Sequence, residues 1–259
     1  MLSYQHAYHA GNLADVHKHA LLAWMLDYLT QKPKPLTYIE THAGRGLYDL
    51  GGAEAVKTGE AAAGIARLRG AFAPDHPYAR ALSAIAIAHG AQAYPGSPLI
   101  AATLLRDIDS LHLAELHPAE HAALSAVPWP RKVQIHRQDG FEMAQALCPP
   151  TPRRGLMLID PSYEVKDDYA RLPKTLQQIH RKWNVGILCL WYPILTSGAH
   201  QDMLARLTAA FPGALRHEVG FPPVREGHRM TGSGLFVVNP PYGLDHESET
   251  LGKVFKTLD

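Results

Sequence analysis

A carboxylate and two glycines stand together in Glu40-Thr41-His42-Ala43-Gly44-Arg45-Gly46, directly after the apolar run Leu36-Thr37-Tyr38-Ile39. A strand ending this way brings backbone without Cβ close beneath a ligand, and an acid at its head can meet an ammonium. The spacing suits the methionine half of S-adenosylmethionine. A lone G-x-G is weak, and its weight here comes from a second motif, Asp160-Pro161-Ser162-Tyr163, behind the apolar run Gly155-Leu156-Met157-Leu158-Ile159. An exocyclic adenine amine is a poor nucleophile because its lone pair is delocalised into the ring. The Asp160 carboxylate and the Pro161 carbonyl are acceptors able to draw its hydrogens out of plane. Tyr163 offers a face for the base once it has left its helix or loop. With an already activated methyl on a sulfonium, catalysis reduces to alignment and proton loss through Asp160. Together the motifs predict adenine methylation.

Two further acids complete the cofactor end. Glu115, in Ser110-Leu111-His112-Leu113-Ala114-Glu115-Leu116-His117-Pro118, ends an apolar alternation where a second strand's acid would hold both ribose hydroxyls. Asp139 precedes Gly140-Phe141, where a carboxylate would accept from the cofactor's adenine amine. The same Asp139 reads equally as a helix N-cap. A nicotinamide dinucleotide fits less well, because Gly44-Arg45-Gly46-Leu47-Tyr48-Asp49 lacks the third small residue of G-x-G-x-x-G. Asn239-Pro240-Pro241-Tyr242 matches the amino-methyltransferase motif D/N-P-P-Y more literally than Asp160-Pro161-Ser162-Tyr163 does. Element order excludes it. It closes a final, antiparallel strand whose end points away from the pocket, so it reads as a structural turn.

These residues need a frame. Asn12 caps a predicted helix to about Thr30, with Leu13, Val16, Ala20, Leu21, Trp24, Met25 and Tyr28 on its apolar stripe. Strand-like runs recur at Leu36–Glu40, Leu111–Leu116, Val133–His136, Leu156–Asp160, Gly186–Trp191, Leu215–Val219 and Leu235–Asn239. Their alternation with helical patterns predicts an α/β fold, a mostly parallel sheet with helices on both faces and ligands at the strands' carboxyl ends. Leu111 begins about 70 residues after Glu40, where a crossover needs on the order of 30. Helical patterns around Glu60–Arg69 and Tyr78–His89 occupy the excess. The expected organisation is therefore a main domain of residues 1–49 and 94–259 with an inserted helical subdomain at 50–93, a candidate for substrate recognition.

Composition excludes several classes. Among 259 residues the net charge is only +1, so any nucleic-acid contact rests on local patches such as Arg131-Lys132, Arg153-Arg154, Arg181-Lys182, or Arg225 with Arg229. Two cysteines, Cys148 and Cys189, make neither a disulfide framework nor a zinc site. Sixteen histidines include His6, His9, His17 and His19, but nothing completes a metal cage, and no metal is expected. No apolar run approaches the ~20 residues of a membrane span, and the N-terminus carries no leader pattern. A cytoplasmic protein without a membrane partner is expected.

From Met1 to about Tyr242 the chain resembles the RlmJ family of bacterial 23S ribosomal RNA adenine-N6-methyltransferases. The likeness rests on MLSYQHAYHAGNLADVHKHA at the start, THAGRGLYDL with TGE after it, YPGSPLIA, LAELHP, DGF, RRGLMLIDPSYE, LWYPI and MTGSGLFVVNPPY. It implies a class I, Rossmann-like S-adenosylmethionine-dependent methyltransferase with a seven-stranded sheet and a helical insertion. It also implies action as a monomer on one adenine of largely protein-free 23S rRNA. By the same resemblance His19, His42, Ser97, Glu115, Asp139, Gly140 and Asp160 contact the cofactor, Asp160 is the catalytic acceptor, Tyr4 faces the RNA, and Lys18 is a further contact. By spacing alone His19 reads as a helix-surface histidine and Ser97 as a helix cap before Pro98. Ser162 departs from the family's D-P-P-Y. Two rivals remain at this point: a DNA adenine-N6-methyltransferase, since the motif does not read a 2′-hydroxyl, and a noncatalytic nucleic-acid-binding protein linked to use of external DNA.

Overall fold

Short, almost continuously apolar runs such as Gly155-Leu156-Met157-Leu158-Ile159 are what a strand covered on both faces requires, and all five of these residues are buried. The computed structural model describes residues 6–164, 167–222 and 229–258. In chain order the elements are α1 (Leu13–Thr30), β1 (Thr37–Glu40), β2 (Leu47–Asp49), α2 (Ala53–Thr58), α3 (Glu60–Ala63), α4 (Ile65–Leu68), α5 (Pro77–His89), β3 (Ala93–Pro95), α6 (Ser97–Leu104) and β4 (Ser110–Ala114). There follow α7 (Pro118–Ala126), β5 (Gln134–His136), α8 (Gly140–Leu147), β6 (Gly155–Ile159), α9 (Asp167–Lys182), β7 (Ile187–Leu195), α10 (Gln201–Ala210), β8 (Leu215–Gly220), β9 (Met230–Val238) and α11 (Leu244–Phe255).

Seven strands form one sheet in the order β5-β4-β1-β6-β7-β9-β8. The pairs from β5 to β7 are parallel, and β9 runs antiparallel to both β7 and β8. This is the mostly parallel, seven-stranded α/β sheet expected from the sequence. The chain runs outward from β1 to β4 and β5, then returns to lay β6 on β1's other side. The loops leaving β1 and β6 therefore flank the point where strand order reverses, the usual crevice for ligands of such sheets.

Three elements differ from the sequence expectation. A two-stranded antiparallel ribbon, β2 with β3, pairs Leu47 with Pro95 and Asp49 with Ala93 and so ties the two ends of the 50–93 segment together. Three-residue strands carry too little periodicity to be read in advance. The helix expected around Glu60–Arg69 is broken into α3 and α4 at Gly64, where a Cβ would lie 2.2 Å from the Gly11 carbonyl oxygen. Helix α1 begins and ends as expected, with Asn12 capping the Asp15 amide at 2.8 Å. It is not, however, an amphipathic surface helix. Asp15, His17, Lys18 and His19 are all buried, whereas Trp24 and Tyr28 on the expected apolar stripe are only half-buried. The helix is enclosed by β9, α5, α6 and α11, so its polar residues face protein and need internal partners.

Two of the basic patches are structural. Arg131 donates to the Ala102 carbonyl, and Arg154 donates to the carbonyls of Leu29 and Lys34. Arg225 lies outside the described residues. No helix among the described residues is long and apolar enough to cross a membrane.

Candidate active site

The acids singled out in the sequence stand at the carboxyl end of the sheet. Glu40 ends β1, Glu115 follows β4, Asp139 follows β5 by a short loop, and Asp160 follows β6. Parallel pairing of β1 with β4 and β6 fixes their spacing.

Glu40 is fully buried. Its Oε1 accepts from Ser97 Oγ at 2.5 Å and its Oε2 from Tyr38 Oη at 2.7 Å. Burial raises its pKa to about 8, against the lowering effect of those two hydroxyls. Ser97 is the first residue of α6, and Gly96 is the cap. The cap reading of Ser97 is therefore corrected: its hydroxyl is committed to Glu40. The glycine loop is held from two sides. The Gly44 amide donates to Glu115 Oε2 at 2.8 Å, and the His117 amide donates to Glu115 Oε1 at 2.7 Å. Arg45 clamps Glu120 through Nε at 3.0 Å and Nη2 at 2.7 Å. Gly44 has φ +61° and a Cβ there would lie 2.7 Å from Tyr48 Oη, so both backbone and space demand glycine.

Asp139 caps α8, its Oδ1 accepting from the amides of Phe141 at 2.8 Å and Glu142 at 3.0 Å. Gly140 lets the start of α8 lie directly on the Thr41 carbonyl; a Cβ would sit 1.8 Å from that oxygen. His42 packs edge-on to Phe141, with ring centroids 5.1 Å apart, and hydrogen-bonds Thr41 Oγ1 at 2.7 Å. Burial pushes its pKa down to about 4 although the carboxylates of Asp160 and Asp139 oppose the shift, so the ring is neutral at pH 7. The β1 loop thus lies within electrostatic reach of the loops after β5 and β6.

Asp160 Oδ2 accepts from Lys18 Nζ at 2.6 Å. Lys18 also reaches Asp15 at 3.2 Å and lies 5.6 Å from the centroid of the Trp191 ring. Burial disfavours its charge, but the carboxylates of Asp160 and then Asp15 outweigh this and raise its pKa. Named from the sequence as a contact for RNA, Lys18 here turns inward onto the Asp160 carboxylate. Tyr163 has φ +57°, a left-handed conformation uncommon outside glycine. Its hydroxyl donates to the Trp191 carbonyl at 2.6 Å, and its ring lies 4.7 Å from that of Tyr169. A non-glycine residue keeps this conformation only where its surroundings hold it, here the Trp191 carbonyl and the Tyr169 ring, and strain of this kind is concentrated at working sites.

His19 is not on the helix surface, as its spacing suggested, but 1% exposed. Its Nδ1 pairs with Tyr94 Oη at 2.9 Å. Its Nε2 is buried without a hydrogen-bond partner, with Asp15 Oδ1 at 3.7 Å. Burial lowers its pKa to about 3. Tyr4 lies outside the described residues. His6 and His9 turn to carboxylates, Asp15 at 2.8 Å and Glu60 at 3.0 Å.

At the opposite end of the sheet Asn239 has φ +55° and donates to the carbonyls of Asn184 and Gly186 at 2.9 and 2.8 Å. It closes a turn under the start of β7, as element order required. Sequence reasoning missed Asp15 and Trp191. The signal for Asp15 was available: Asp15, Lys18 and His19 share one helix face inside an otherwise apolar helix. Trp191 carried none, because an apolar strand residue reads as core.

The family model described as "Ribosomal RNA large subunit methyltransferase D, RlmJ" matches residues 33–258. "Ribosomal RNA large subunit methyltransferase J" of Escherichia coli (strain K12) is 39% identical over 252 residues, covering 95% of this chain and 90% of that protein. The protein of the same name from Haemophilus influenzae is 38% identical over 265 residues, covering 100% and 94%. The crystal structure of a Legionella pneumophila protein, LPL1258, superposes with a TM-score of 0.87 at 36% identity, covering 96% of this chain and 94% of that one. With β1, its glycine loop and the Asp160 turn all inside the matched span, this chain belongs to the RlmJ family of ribosomal RNA large subunit methyltransferases.

Proposed function

We propose that the enzyme transfers the methyl of S-adenosylmethionine to the exocyclic N6 amine of one adenine in 23S rRNA, acting as a monomer on RNA largely free of ribosomal protein. The observation that carries this reading is the Asp160-Pro161-Ser162-Tyr163 turn, held at the carboxyl end of β6 directly beside the glycine loop of β1.

Two features of the chain fit the cofactor. A cradle at Gly44 leaves no room for a Cβ, and the buried Nε2 of His19 lacks a partner that a ligand acceptor would supply. Glu40, Gly44, Gly46, His19, His42 and Ser97 would line the methionine half. Glu115 would hold the ribose: each carboxylate oxygen takes one backbone N–H and keeps a lone pair for a hydroxyl. Asp139 and Gly140 would flank the adenine. The bound sulfonium supplies the electrophilic methyl.

Asp160 Oδ and the Pro161 carbonyl accept the two amine hydrogens and localise the nitrogen lone pair. Lys18 orients the carboxylate, and Tyr163 gives the flipped base a face to stack on. The extra proton leaves the product nitrogen through Asp160. Residues 50–93 act as a recognition subdomain beside this crevice. Deproteinised 23S rRNA incubated with S-adenosylmethionine should gain N6-methyladenine at one position by mass spectrometry. Asp160→Ala should lower the rate by at least about 10²-fold while S-adenosylhomocysteine still binds. Methylation of duplex DNA but not of rRNA, or an active Asp160→Ala, would overturn the proposal.

A further inference from the structure

Trp191 touches both halves of the transfer site. Its ring faces the Lys18 ammonium, 5.6 Å from the centroid, and its carbonyl takes the Tyr163 hydroxyl at 2.6 Å. The indole in turn ends a chain of buried polar groups that no step above uses. Trp191 Nε1 lies 2.8 Å from Ser233 Oγ, Ser233 Oγ lies 2.9 Å from His17 Nδ1, and His17 Nε2 lies 2.9 Å from His217 Nδ1.

One arrangement of protons gives the Trp191, Ser233 and His17 donors a partner each within this chain. An indole N–H is a donor only, so Ser233 accepts from it. Among the described contacts its own hydroxyl hydrogen then has only His17 Nδ1 to go to. His17 therefore carries its proton on Nε2 and donates it to His217. Neutrality of His17 is secured by burial first and by His217 second, which hold its pKa well below the usual histidine value. Ser233 and His17 are both 0% exposed. A hydrogen-bonded network whose middle members are buried restricts the rotamers of the groups it joins, and its terminal member is the ring against which Lys18 rests.

We propose that Trp191 is a positioning residue of the methyl-transfer site: it holds Lys18 on Asp160 with its ring and Tyr163 with its carbonyl, and Ser233, His17 and His217 set the angle of its indole. This rests on the assignment of Asp160 and Tyr163 above. None of the four residues of this rail, Trp191, Ser233, His17 and His217, is among those assigned above to the cofactor, so its loss should act on turnover and not on cofactor binding.

The test is methyl transfer to deproteinised 23S rRNA by Trp191→Phe, Trp191→Leu and Ser233→Ala, with Asp160→Ala alongside. Active protein is counted by titration with S-adenosylhomocysteine, so that only folded enzyme enters kcat. Trp191→Phe and Ser233→Ala should each lower kcat about five- to thirtyfold, with KM for S-adenosylmethionine and Kd for S-adenosylhomocysteine within twofold. Trp191→Leu, which removes the ring as well as the donor, should fall further. Wild-type kcat in both Trp191→Phe and Ser233→Ala, or a loss confined to KM, would overturn the proposal. If Asp160→Ala turned over normally, the catalytic assignment would fail first. If Asp160→Ala were silent while the rail variants matched wild type, only the positioning role would fail. Should Ser233→Ala yield no folded enzyme, Trp191→Phe decides alone.

Discussion

Gly140→Ala isolates the contact on which the crevice depends. A Cβ at this position meets the Thr41 carbonyl oxygen at 1.8 Å, its carbon at 2.5 Å and its Cα at 2.8 Å, whereas ordinary contact begins near 3.4 Å. One side must move by roughly 1.6 Å, the difference between 3.4 and 1.8. Neither side yields easily. The Thr41 amide is tied to the Leu158 carbonyl of the neighbouring strand at 3.1 Å, and Gly140 opens a helix capped by Asp139. Overpacking typically costs 1–3 kcal/mol, and a backbone-on-backbone clash belongs at about 3 kcal/mol. At about 2–4 °C per kcal/mol for a chain of this size, the melting temperature should fall by about 6–12 °C. Two alanines calibrate this. Gly59 has open space but φ +68°, so alanine there should cost only the left-handed strain of about 1–2 kcal/mol. Gly70 has open space and no positive φ, so its alanine should change stability by less than about 0.5 kcal/mol. Calorimetry should rank the losses Gly140, Gly59, Gly70, and calorimetric titration should show S-adenosylhomocysteine affinity falling at least about tenfold in Gly140→Ala alone. If Gly140→Ala melted with Gly70→Ala and bound the ligand normally, the close approach of α8 to the β1 loop would not be what builds the crevice.

Ser162 occupies the third place of the Asp160-Pro161-Ser162-Tyr163 turn, where the D-P-P-Y pattern would have proline. Ser162→Pro should leave rRNA methylation intact or raise it, since proline there would restrict Pro161 to extended geometry and stiffen the turn; a folded variant without activity would show that the serine hydroxyl or amide is needed. Glu40 makes a prediction about pH. In the unfolded chain it ionises near 4.5, but in the folded protein burial holds the proton to about 8. Between these values the folded state binds more protons, so stability falls as pH rises, by at most about 1.4 kcal/mol per unit from this group. Urea unfolding from pH 5 to 8 should show a steeper loss in wild type than in Glu40→Gln, and parallel curves would mean that Glu40 enters the fold already ionised.

The strands and their order were legible because each is a short apolar run bounded by turn residues, and an acid closes or follows several of them. Glu40, Glu115, Asp139 and Asp160 could be placed at one end of the sheet from chain order alone. The decoy at Asn239 could be set aside by the same reasoning, and the turn it makes under β7 agrees. Boundaries such as Gly64 were not legible, because the reason for that break is the Gly11 carbonyl more than fifty residues earlier.

What the sequence determined by itself was the alternation of strand and helix, the glycine loop and the acids: local patterns whose meaning survives without knowing their neighbours. Tertiary structure alone decided which polar groups of α1 are enclosed. Asp15, His17, Lys18 and His19 look like solvated helix residues until β9, α5, α6 and α11 close around them. Burial then obliges each to find a partner: Asp15 takes His6 and Lys18 nearby, but Lys18 reaches Asp160, His17 reaches Ser233 and His19 reaches Tyr94, residues that only folding brings within reach.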